Sequence, residues 1–209
     1  MSNKILLTGA SGLLGKELVK LMPELITPNH REFDITKKLP KKRVDLIIHA
    51  AAFTNTAKGE TSEGRKSMNE VNVDGTLNLL KSYPNTPIVF ISSEYAIRPI
   101  NHYSTTKAIG ELFMQLYAKN YLIIRTLFKP RPYPFGLAFG DQWTRGDYVD
   151  VIAKLILKEV KNWDRKTNKT IHVGTKRKTM YELAKQTNPN VVMNSVEDIK
   201  GVKIPTDYQ

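Results

Sequence analysis

The chain has 209 residues, 41% of them hydrophobic, which is enough for one α/β domain with a substantial core. It contains no cysteine, which excludes a disulfide framework and a thiolate metal site, and we predict no metal site. The formal net charge of +12 favours anionic partners, either phosphorylated small molecules or nucleic acid.

The distribution of the basic residues argues against nucleic acid as the partner. They occur in short separate clusters with no aromatic residues interleaved at stacking spacing, and no nucleic-acid-binding motif is visible. Met1 leads almost directly into the first apolar run, and no apolar run approaches the length of a membrane span. We therefore expect a cytoplasmic protein without a membrane partner.

The first motif is a glycine-rich turn between a predicted strand and a predicted helix. The apolar run Ile5–Leu7 has the pattern of a buried strand, and leucines at helical spacing begin at Leu13. Between them, Gly9 permits a tight turn, Gly12 lets the backbone approach a pyrophosphate, and Gly15 permits close packing of helix and strand. This order predicts the opening of a dinucleotide-binding unit.

The rest of the chain continues the alternation of strands and helices. Strands are predicted at residues 25–27, 44–49, 87–91, 121–126 and 171–174, and helices at residues 64–83, 103–117, 148–160 and after Thr179. The Lys- and Pro-rich segment before residue 44 is too short for a crossover helix of normal length. This order predicts a Rossmann-like, doubly wound parallel sheet. Residues 1–126 would form the NADP-binding domain, and residues 127–209 a small C-terminal substrate-binding portion folded onto it as a single compact unit.

The end of the second predicted strand bears on the choice of cofactor. An acid that bonds the ribose 2′-OH is typical of NAD-specific folds at this point, whereas this chain has His30 and Arg31. An arginine here can accept a 2′-phosphate, which favours NADPH over NADH. The alternative is that both are ordinary loop residues.

Candidate catalytic residues follow the strand at residues 87–91. Ser92 and Ser93 stand at its carboxyl end, where ligands bind in doubly wound sheets. Tyr103 and Lys107 are four residues apart on a predicted helix and therefore share a face. A nearby ammonium lowers the pKa of a phenol, which is about 10 when free. Tyr103 could then protonate a carbonyl oxygen that Ser93 polarises, although Tyr-x-x-x-Lys alone is a common pattern.

Taken in order, these motifs resemble the extended branch of the short-chain dehydrogenase/reductase superfamily. The stretches at residues 49–54 and 123–126 are similar to those of the dTDP-4-dehydrorhamnose reductases. The chain resembles a shortened form of these enzymes. The resemblance implies an oxidoreductase that uses NADPH to reduce the 4-keto group of a 4-keto-6-deoxy nucleotide sugar of the rhamnose type, linked to dTDP or UDP. It implies a catalytic triad of Ser93, Tyr103 and Lys107, with Ser92 the less favoured hydroxyl.

The resemblance also implies which residues contact the ligands. Asp34 would accept a hydrogen bond from the adenine amino group, unless it is only a turn residue, and Asn72 would support the active-site backbone and a proton-relay water. His49 is expected to be a packed structural residue. The residues expected to contact the cofactor are Gly9, Ser11, Gly12, Leu13, Leu14, His30, Arg31, Asp34, Ile35, Ala50, Ala51, Ala52, Asn72, Tyr103 and Lys107. Those expected to contact the substrate are Thr54, Glu94, Lys129, Arg131 and Trp143.

The segment at residues 128–136 contains three prolines and cannot form a helix. It could form a lid in which Lys129 or Arg131 meets the substrate diphosphate, or it could be a rigid surface loop. The tail that ends in Ile204–Tyr208 is expected to wrap around the domain.

A second hypothesis is a non-catalytic, NADP-binding regulatory or scaffold subunit of a larger complex. The short loop between Ser93 and Tyr103 suits this hypothesis, because the family's longer loop helps to close the sugar pocket. The intact triad argues against it. An epimerase partner is possible, and a homodimer could form through the helices after Asn72 and at Tyr103.

Overall fold

A computed structural model describes residues 3–207 of the protein. At its centre lies a parallel sheet of five strands in the order β1-β2-β3-β4-β9. Its strands are β1 Ile5–Thr8, β2 Leu46–His49, β3 Ile88–Ser93, β4 Tyr121–Thr126 and β9 Lys169–His172. All residues of β1, β2 and β3 are buried, as expected for a parallel sheet covered on both faces.

Helices cover both faces of this sheet. They are α1 Leu13–Leu21, α2 Thr56–Gly59, α3 Ser62–Asn69, α4 Gly75–Ser82, α5 His102–Tyr117, α6 Val149–Asn162 and α7 Met180–Lys185. Helices α1 and α6 pack in the core on one face, and α4 and α5 contribute to the core on the other. The doubly wound α/β prediction is therefore confirmed. None of the helices within residues 3–207 has both the length and the apolar character of a membrane span.

The edge of the sheet beside β1 differs from the sequence prediction. Residues 25–27 form a single parallel bridge, from Ile26 to Leu6, and not a strand. Pro28 follows two residues later and has no N–H group with which to extend the ladder. Within the described chain no helix lies between Ile26 and β2, and the side chains of Phe33, Ile35 and Leu39 fill this layer instead.

The helix predicted at residues 64–83 is interrupted. A π-helical turn at Glu70–Asp74 separates α3 from α4. Wide turns of this kind occur mostly as single turns inside α-helices and often at functional sites. Asn72, a predicted site residue, lies inside this turn and is buried.

The chain after β4 forms short paired strands beside the main sheet. These strands are β5 Phe128–Lys129 with β8 Asp147–Tyr148, β6 Leu137–Phe139 with β11 Val192–Asn194, and β7 Trp143–Thr144 with β10 Lys178–Thr179. Short 3-10 turns lie at Glu94–Ala96 and Val196–Asp198. Thr179 and Glu182 form the predicted capping box of α7. Because α6 and β9 join the main core and sheet, the elements on both sides of residue 126 share one core.

Candidate active site

The glycine turn between β1 and α1 leaves no room for side chains at two of its glycines. Gly9 has a φ of +76°, and a Cβ there would lie 2.6 Å from the backbone nitrogen of Ala51. A Cβ at Gly15 would lie 2.1 Å from the carbonyl oxygen of Gly9, whereas at Gly12 the same distance would be 3.2 Å. Packing therefore requires Gly9 and Gly15, while Gly12 has a looser surrounding.

Two cavities meet at this turn. The aspartate cavity, named after Asp34, has a volume of about 910 Å³, and the tyrosine cavity, named after Tyr103, about 460 Å³. Four of the predicted cofactor residues line both cavities: Gly9, Gly12, Ala50 and Ala52. Ser11, His30, Asp34, Ile35 and Ala51 line the aspartate cavity, and Leu13, Leu14, Tyr103 and Lys107 line the tyrosine cavity. The predicted cofactor residues thus fall along one continuous cleft, except for Arg31 and Asn72.

Asp34 holds a turn and also faces the aspartate cavity. Its Oδ1 accepts hydrogen bonds from the backbone nitrogen of Thr36 at 3.0 Å and the hydroxyl of Thr36 at 2.7 Å. Its Oδ2 lies 3.4 Å from Nζ of Lys37 and 3.8 Å from Nδ1 of His30. Burial raises the pKa of Asp34, but the bonds from Thr36 and the neighbouring positive charge outweigh it and lower the pKa. Asp34 is therefore ionised and able to accept a further hydrogen bond through Oδ2.

His49 is a structural residue, as predicted. It is buried, its Nδ1 lies 2.7 Å from the hydroxyl of Thr8, and its Nε2 lies 3.0 Å from the hydroxyl of Thr76. Burial, with a contribution from the charge of Lys107, lowers the pKa of His49 to about 3. The neutral ring thus ties the last residue of β1 to α4.

Asn72 fixes the backbone beside the cleft without lining it. Its Oδ1 accepts a hydrogen bond from the backbone nitrogen of Phe53 at 2.7 Å. Its Nδ2 donates to the carbonyl oxygen of Phe53 and to the hydroxyl of Thr106, both at 3.0 Å. The π turn therefore connects the loop after β2 to α5, the helix that carries Tyr103. A proton-relay water at Asn72 stays a prediction.

The structure distinguishes the two serines at the end of β3. The hydroxyl of Ser92 donates a hydrogen bond to Oε1 of Glu111, which also binds Arg125 through two nitrogens. The hydroxyl of Ser93 accepts a 3.3 Å hydrogen bond from the backbone nitrogen of Tyr95 and keeps its own proton for another acceptor. Ser93 is therefore the better placed donor for a ligand in the tyrosine cavity.

Tyr103 and Lys107 line the same cavity, but burial changes both pKa values in ways that the sequence argument did not include. Burial raises the pKa of Tyr103 to about 12, so the expected lowering by Lys107 is wrong for this structure. Burial lowers the pKa of Lys107 to about 7, although the charge of Glu111 opposes this effect. Nζ of Lys107 lies 4.2 Å from the ring centroid of Phe90. The phenol thus stays protonated at neutral pH.

Thr126 is a candidate functional residue that the sequence reasoning did not identify. It lies at the carboxyl end of β4, opposite Ser93 in the sheet register, and it lines the tyrosine cavity. Its hydroxyl is buried and has no hydrogen-bond partner within the described residues. Buried polar groups are nearly always paired, so a ligand group is the natural partner. The position of Thr126 next to Ser93 could have been inferred from the parallel pairing of the two strands.

Of the five predicted substrate residues, the structure places two in the wall of the tyrosine cavity and three outside it. Thr54 and Lys129 line the tyrosine cavity. Glu94, Arg131 and Trp143 are not among its lining residues. Phe135, Phe139, Gln142 and the tail residues Val202, Ile204 and Pro205 also line it, and the sequence reasoning did not assign them a role. The wrapping of the tail is confirmed as far as residue 207, while Tyr208 lies outside the described residues.

Glu94 links the chain that follows β3 to the chain at β7. It is fully buried, and its carboxylate accepts hydrogen bonds from the hydroxyl of Thr144 at 2.7 Å and the backbone nitrogen of Arg145 at 3.2 Å. Burial raises the pKa of Glu94 to about 7. The side chain points toward β7, away from the tyrosine cavity, which corrects the expectation of a substrate contact.

Arg131 and Trp143 also have partners elsewhere. Nε of Arg131 lies 3.0 Å from Asp150, and its guanidinium stacks 4.1 Å from the ring centroid of Tyr148. The guanidinium of Arg177 lies 4.1 Å from the ring centroid of Trp143. Both side chains therefore stabilise the packing of the chain after β4.

The residues of the cleft fit a dinucleotide. Gly12 is the N-cap of helix α1, and no side chain among the described residues caps the free N–H groups of this helix; such groups bind phosphate. The unpaired hydroxyl of Thr126 lies along the same cleft, in the tyrosine cavity. The cleft therefore offers a phosphate-binding turn between a cavity with an acceptor carboxylate and a cavity with Ser93, Tyr103 and Lys107.

Comparisons with known proteins agree with this geometry. Residues 3–128 match the family model described as the RmlD substrate binding domain. A dTDP-4-dehydrorhamnose reductase from Aggregatibacter actinomycetemcomitans is 28% identical over 188 residues, which cover 77% of this chain and 58% of that protein. The chain thus spans less than two thirds of the length of this relative.

Solved structures share the fold. The dTDP-4-dehydrorhamnose reductase from Bacillus anthracis, solved in complex with NADP, has a TM-score of 0.84 at 24% identity, covering 100% of this chain and 90% of that one. A hypothetical dTDP-4-dehydrorhamnose reductase from Sulfolobus tokodaii has a TM-score of 0.80 at 26% identity, covering 98% of this chain and 90% of that one. The fold is therefore that of the Rossmann-type reductases.

Proposed function

Because the chain belongs to the RmlD substrate-binding domain family, we propose that it reduces the 4-keto group of a 4-keto-6-deoxy nucleotide sugar with NADPH. The nucleotide would be dTDP or UDP. The single observation that carries this proposal is that Ser93, Tyr103 and Lys107 line one cavity, which shares its wall with the glycine turn. The similarity to the dTDP-4-dehydrorhamnose reductase from Aggregatibacter actinomycetemcomitans supports the same substrate class.

The three side chains have different roles in the proposed reaction. When bound, NADPH supplies the hydride that adds to the carbonyl carbon. The hydroxyl of Ser93 donates a hydrogen bond to the carbonyl oxygen and polarises it. The phenol of Tyr103 transfers its proton to this oxygen, so that the products are the alcohol and a phenolate. The ammonium of Lys107 stabilises this negative charge.

The raised pKa of Tyr103 suits reduction, because reduction requires the protonated phenol as the acid. With a pKa of about 12, the phenol keeps its proton over the whole physiological pH range. Lys107, with a pKa of about 7, carries its charge in only part of the molecules at neutral pH. Proton donation therefore depends on the fraction of Lys107 that is charged.

The preference for NADPH over NADH is part of the proposal. His30 lines the aspartate cavity, and its side chain is largely exposed at the rim. The neighbouring Arg31 is exposed next to His30, and in the proposal its guanidinium binds the 2′-phosphate. The NADP complex of the structure from Bacillus anthracis supports this preference.

The proposal is tested by the variant Tyr103→Phe, assayed through the loss of NADPH absorbance with 4-keto-6-deoxy sugars linked to dTDP or UDP. We expect turnover to fall by about 10²- to 10⁴-fold, because general acid catalysis contributes about this much. NADPH binding should persist, since the aromatic ring remains. Tyr117→Phe, at the exposed end of α5, is the matched control and should keep full turnover.

Two results would contradict the proposal. Equal turnover of wild type and Tyr103→Phe would show that Tyr103 is not the acid. NADPH binding by the wild type without turnover of either nucleotide sugar would favour the non-catalytic regulatory subunit.

A further inference from the structure

Among the described residues after β4 that line the tyrosine cavity there is one lysine, Lys129. Lys129 is the second residue of β5, and its backbone pairs with Tyr148 of β8, so the position of the main chain is fixed. The side chain lines the cavity together with Phe128, Pro130 and Phe135. Its Nζ lies 5.8 Å from the ring centroid of Phe135. Lys129 is thus a cation on a largely apolar wall.

Four other basic side chains in the part of the chain from Arg125 to Lys178 have acidic partners, whereas Lys129 has none within residues 3–207. The pairs are Arg125 with Glu111 at 2.6 Å, Arg131 with Asp150 at 3.0 Å, Lys178 with Asp147 at 3.1 Å and Arg177 with Asp207 at 2.5 Å. Although its backbone pairs with Tyr148, no hydrogen bond or ion pair joins the ammonium of Lys129 to another described residue. Burial also lowers the pKa of Lys129. The fold therefore keeps a half-buried cation in the cavity with no acidic partner among the described residues to offset its desolvation.

An anionic group of a ligand would supply the missing partner. The phosphates of the cofactor have their own site, the uncapped start of α1 at Gly12. Lys129 instead lines the tyrosine cavity together with Ser93 and Tyr103, and it is not among the residues that line the aspartate cavity. This position favours the substrate over the cofactor as the source of the anion.

We propose that Lys129 is a specificity-determining residue that binds an anionic group of the substrate. The inference rests on the proposed function and gives Lys129, one of the expected substrate contacts, a defined role in it. Two sources share this chemistry: the diphosphate, which the proposed 4-keto-6-deoxy substrate carries, and a sugar carboxylate, which that substrate lacks and which would change the class of sugar. Either would form a charge-assisted hydrogen bond with the ammonium of Lys129.

The test measures binding rather than turnover, by calorimetry with NADPH at saturation. The probes are dTDP against thymidine, which reports on the diphosphate, and UDP-glucuronate against UDP-glucose, which reports on a sugar carboxylate. We expect wild type to prefer the anionic member of one pair at least 10-fold, and Lys129→Met to lose this preference. Lys129→Arg should retain most of it, because the charge is kept.

The matched control is Lys154→Met, the same substitution on an exposed position of α6. It should keep the preference of the wild type. An unchanged Kd for NADPH in Lys129→Met shows both that the variant is folded and that the cofactor is not the anion. Should Lys129→Met not fold, Lys129→Gln provides the same loss of charge with a polar side chain.

Each outcome has a definite meaning. Loss of preference in either probe pair supports the proposal and identifies the anion. The proposal is overturned if the preference survives in Lys129→Met. It is also overturned if the affinity for NADPH falls as much as the affinity for the anionic probe. If wild type binds NADPH but none of the nucleotide probes, the proposed substrate class itself fails. If the probes bind alike to wild type and Lys129→Met, only the role of Lys129 fails.

Discussion

The chain up to β4 and the chain after it are stabilised in different ways. Up to residue 126, β1, β2 and β3 are buried along their length and contribute to the two large apolar cores that cover the sheet, one of which α6 also joins. After it, most strands have two or three residues, and a smaller core around Tyr148 is supplemented by polar contacts such as that of Glu94 with Thr144. Apolar periodicity therefore specifies the strands before residue 126 and helix α6, whereas individual side-chain contacts specify the short strands after residue 126.

The largest effect should come from the glycine turn, where the packing of the first part is tightest. In Gly15→Ala the new Cβ would lie 2.1 Å from the carbonyl oxygen of Gly9, so β1 and α1 must separate. We expect the free energy of unfolding to fall by about 3 kcal/mol, the upper end of ordinary overpacking costs. Urea unfolding at pH 7 measures this change.

Gly12→Ala is the control for this prediction. Its Cβ would lie 3.2 Å from the same oxygen, so the turn needs to move by only a few tenths of an ångström. We expect a small loss of stability but weaker NADPH binding, because Gly12 lines both cavities. An equal loss of stability in both variants would show that packing does not distinguish the two glycines.

The order of strands and helices could be predicted because buried parallel strands are continuous apolar runs, as in Leu46–Ile48. The glycine turn and the grouping of Ser93 with Tyr103 could be predicted for a related reason. Parallel strands bring their carboxyl ends to one edge, so residues distant in sequence meet there.

Other features depend on contacts that a sequence pattern does not contain. The tail residue Ile204 lines the tyrosine cavity although more than a hundred residues separate it from Tyr103. Arg131 and Lys129 are equivalent in the sequence pattern, and only the position of Asp150 on α6 distinguishes them. The π turn at Asn72 was likewise hidden, because its residues continue an ordinary helical pattern.

An effect on stability of at most the same size, which depends on pH, is expected where Glu94 binds Thr144 and Arg145. Its pKa is about 7 in the folded protein and about 4.5 when unfolded, so between these pH values the folded state holds an extra proton. The free energy of unfolding of wild type therefore falls by about 3 kcal/mol from this group as the pH rises from 4.5 to 7. Glu94→Gln cannot ionise and should lack this decrease.

Urea unfolding of wild type and Glu94→Gln at pH 5 and pH 8 checks this prediction. The stability of the variant relative to wild type should increase by about 3 kcal/mol at most between the two pH values. Glu24→Gln, at an exposed position, should show no such change. A pH-independent difference between Glu94→Gln and wild type would mean that Glu94 ionises normally in the folded protein.

The smallest effect is expected at Thr126, where the two parts meet. The buried, unpaired hydroxyl costs stability, so Thr126→Val should stabilise the ligand-free protein by about 1 kcal/mol. The same change should weaken ligand binding in the tyrosine cavity, because valine has no hydroxyl with which to hydrogen-bond the ligand. Thermal unfolding and titration with NADPH and dTDP measure the two effects.

Thr170→Val, at an exposed position of β9, serves as the control for Thr126→Val. It should alter neither ligand binding nor stability by more than a few tenths of a kcal/mol, about what surface substitutions produce. A Thr126→Val variant that is less stable, or that binds both ligands normally, would contradict the assignment.

The π turn also constrains the length of the chain. Met68, Asn72 and Thr76 follow one another at four-residue steps and are all buried. In a regular α-helix each residue turns by about 100°, so each four-residue step overshoots a full turn by about 40°. The wider turn at Glu70–Asp74 takes up this overshoot and keeps Asn72 and Leu79 directed into the protein. Insertion or deletion of one residue within Glu70–Asp74 would turn either Asn72 or Leu79 outward, even if all other residues of the chain stayed the same.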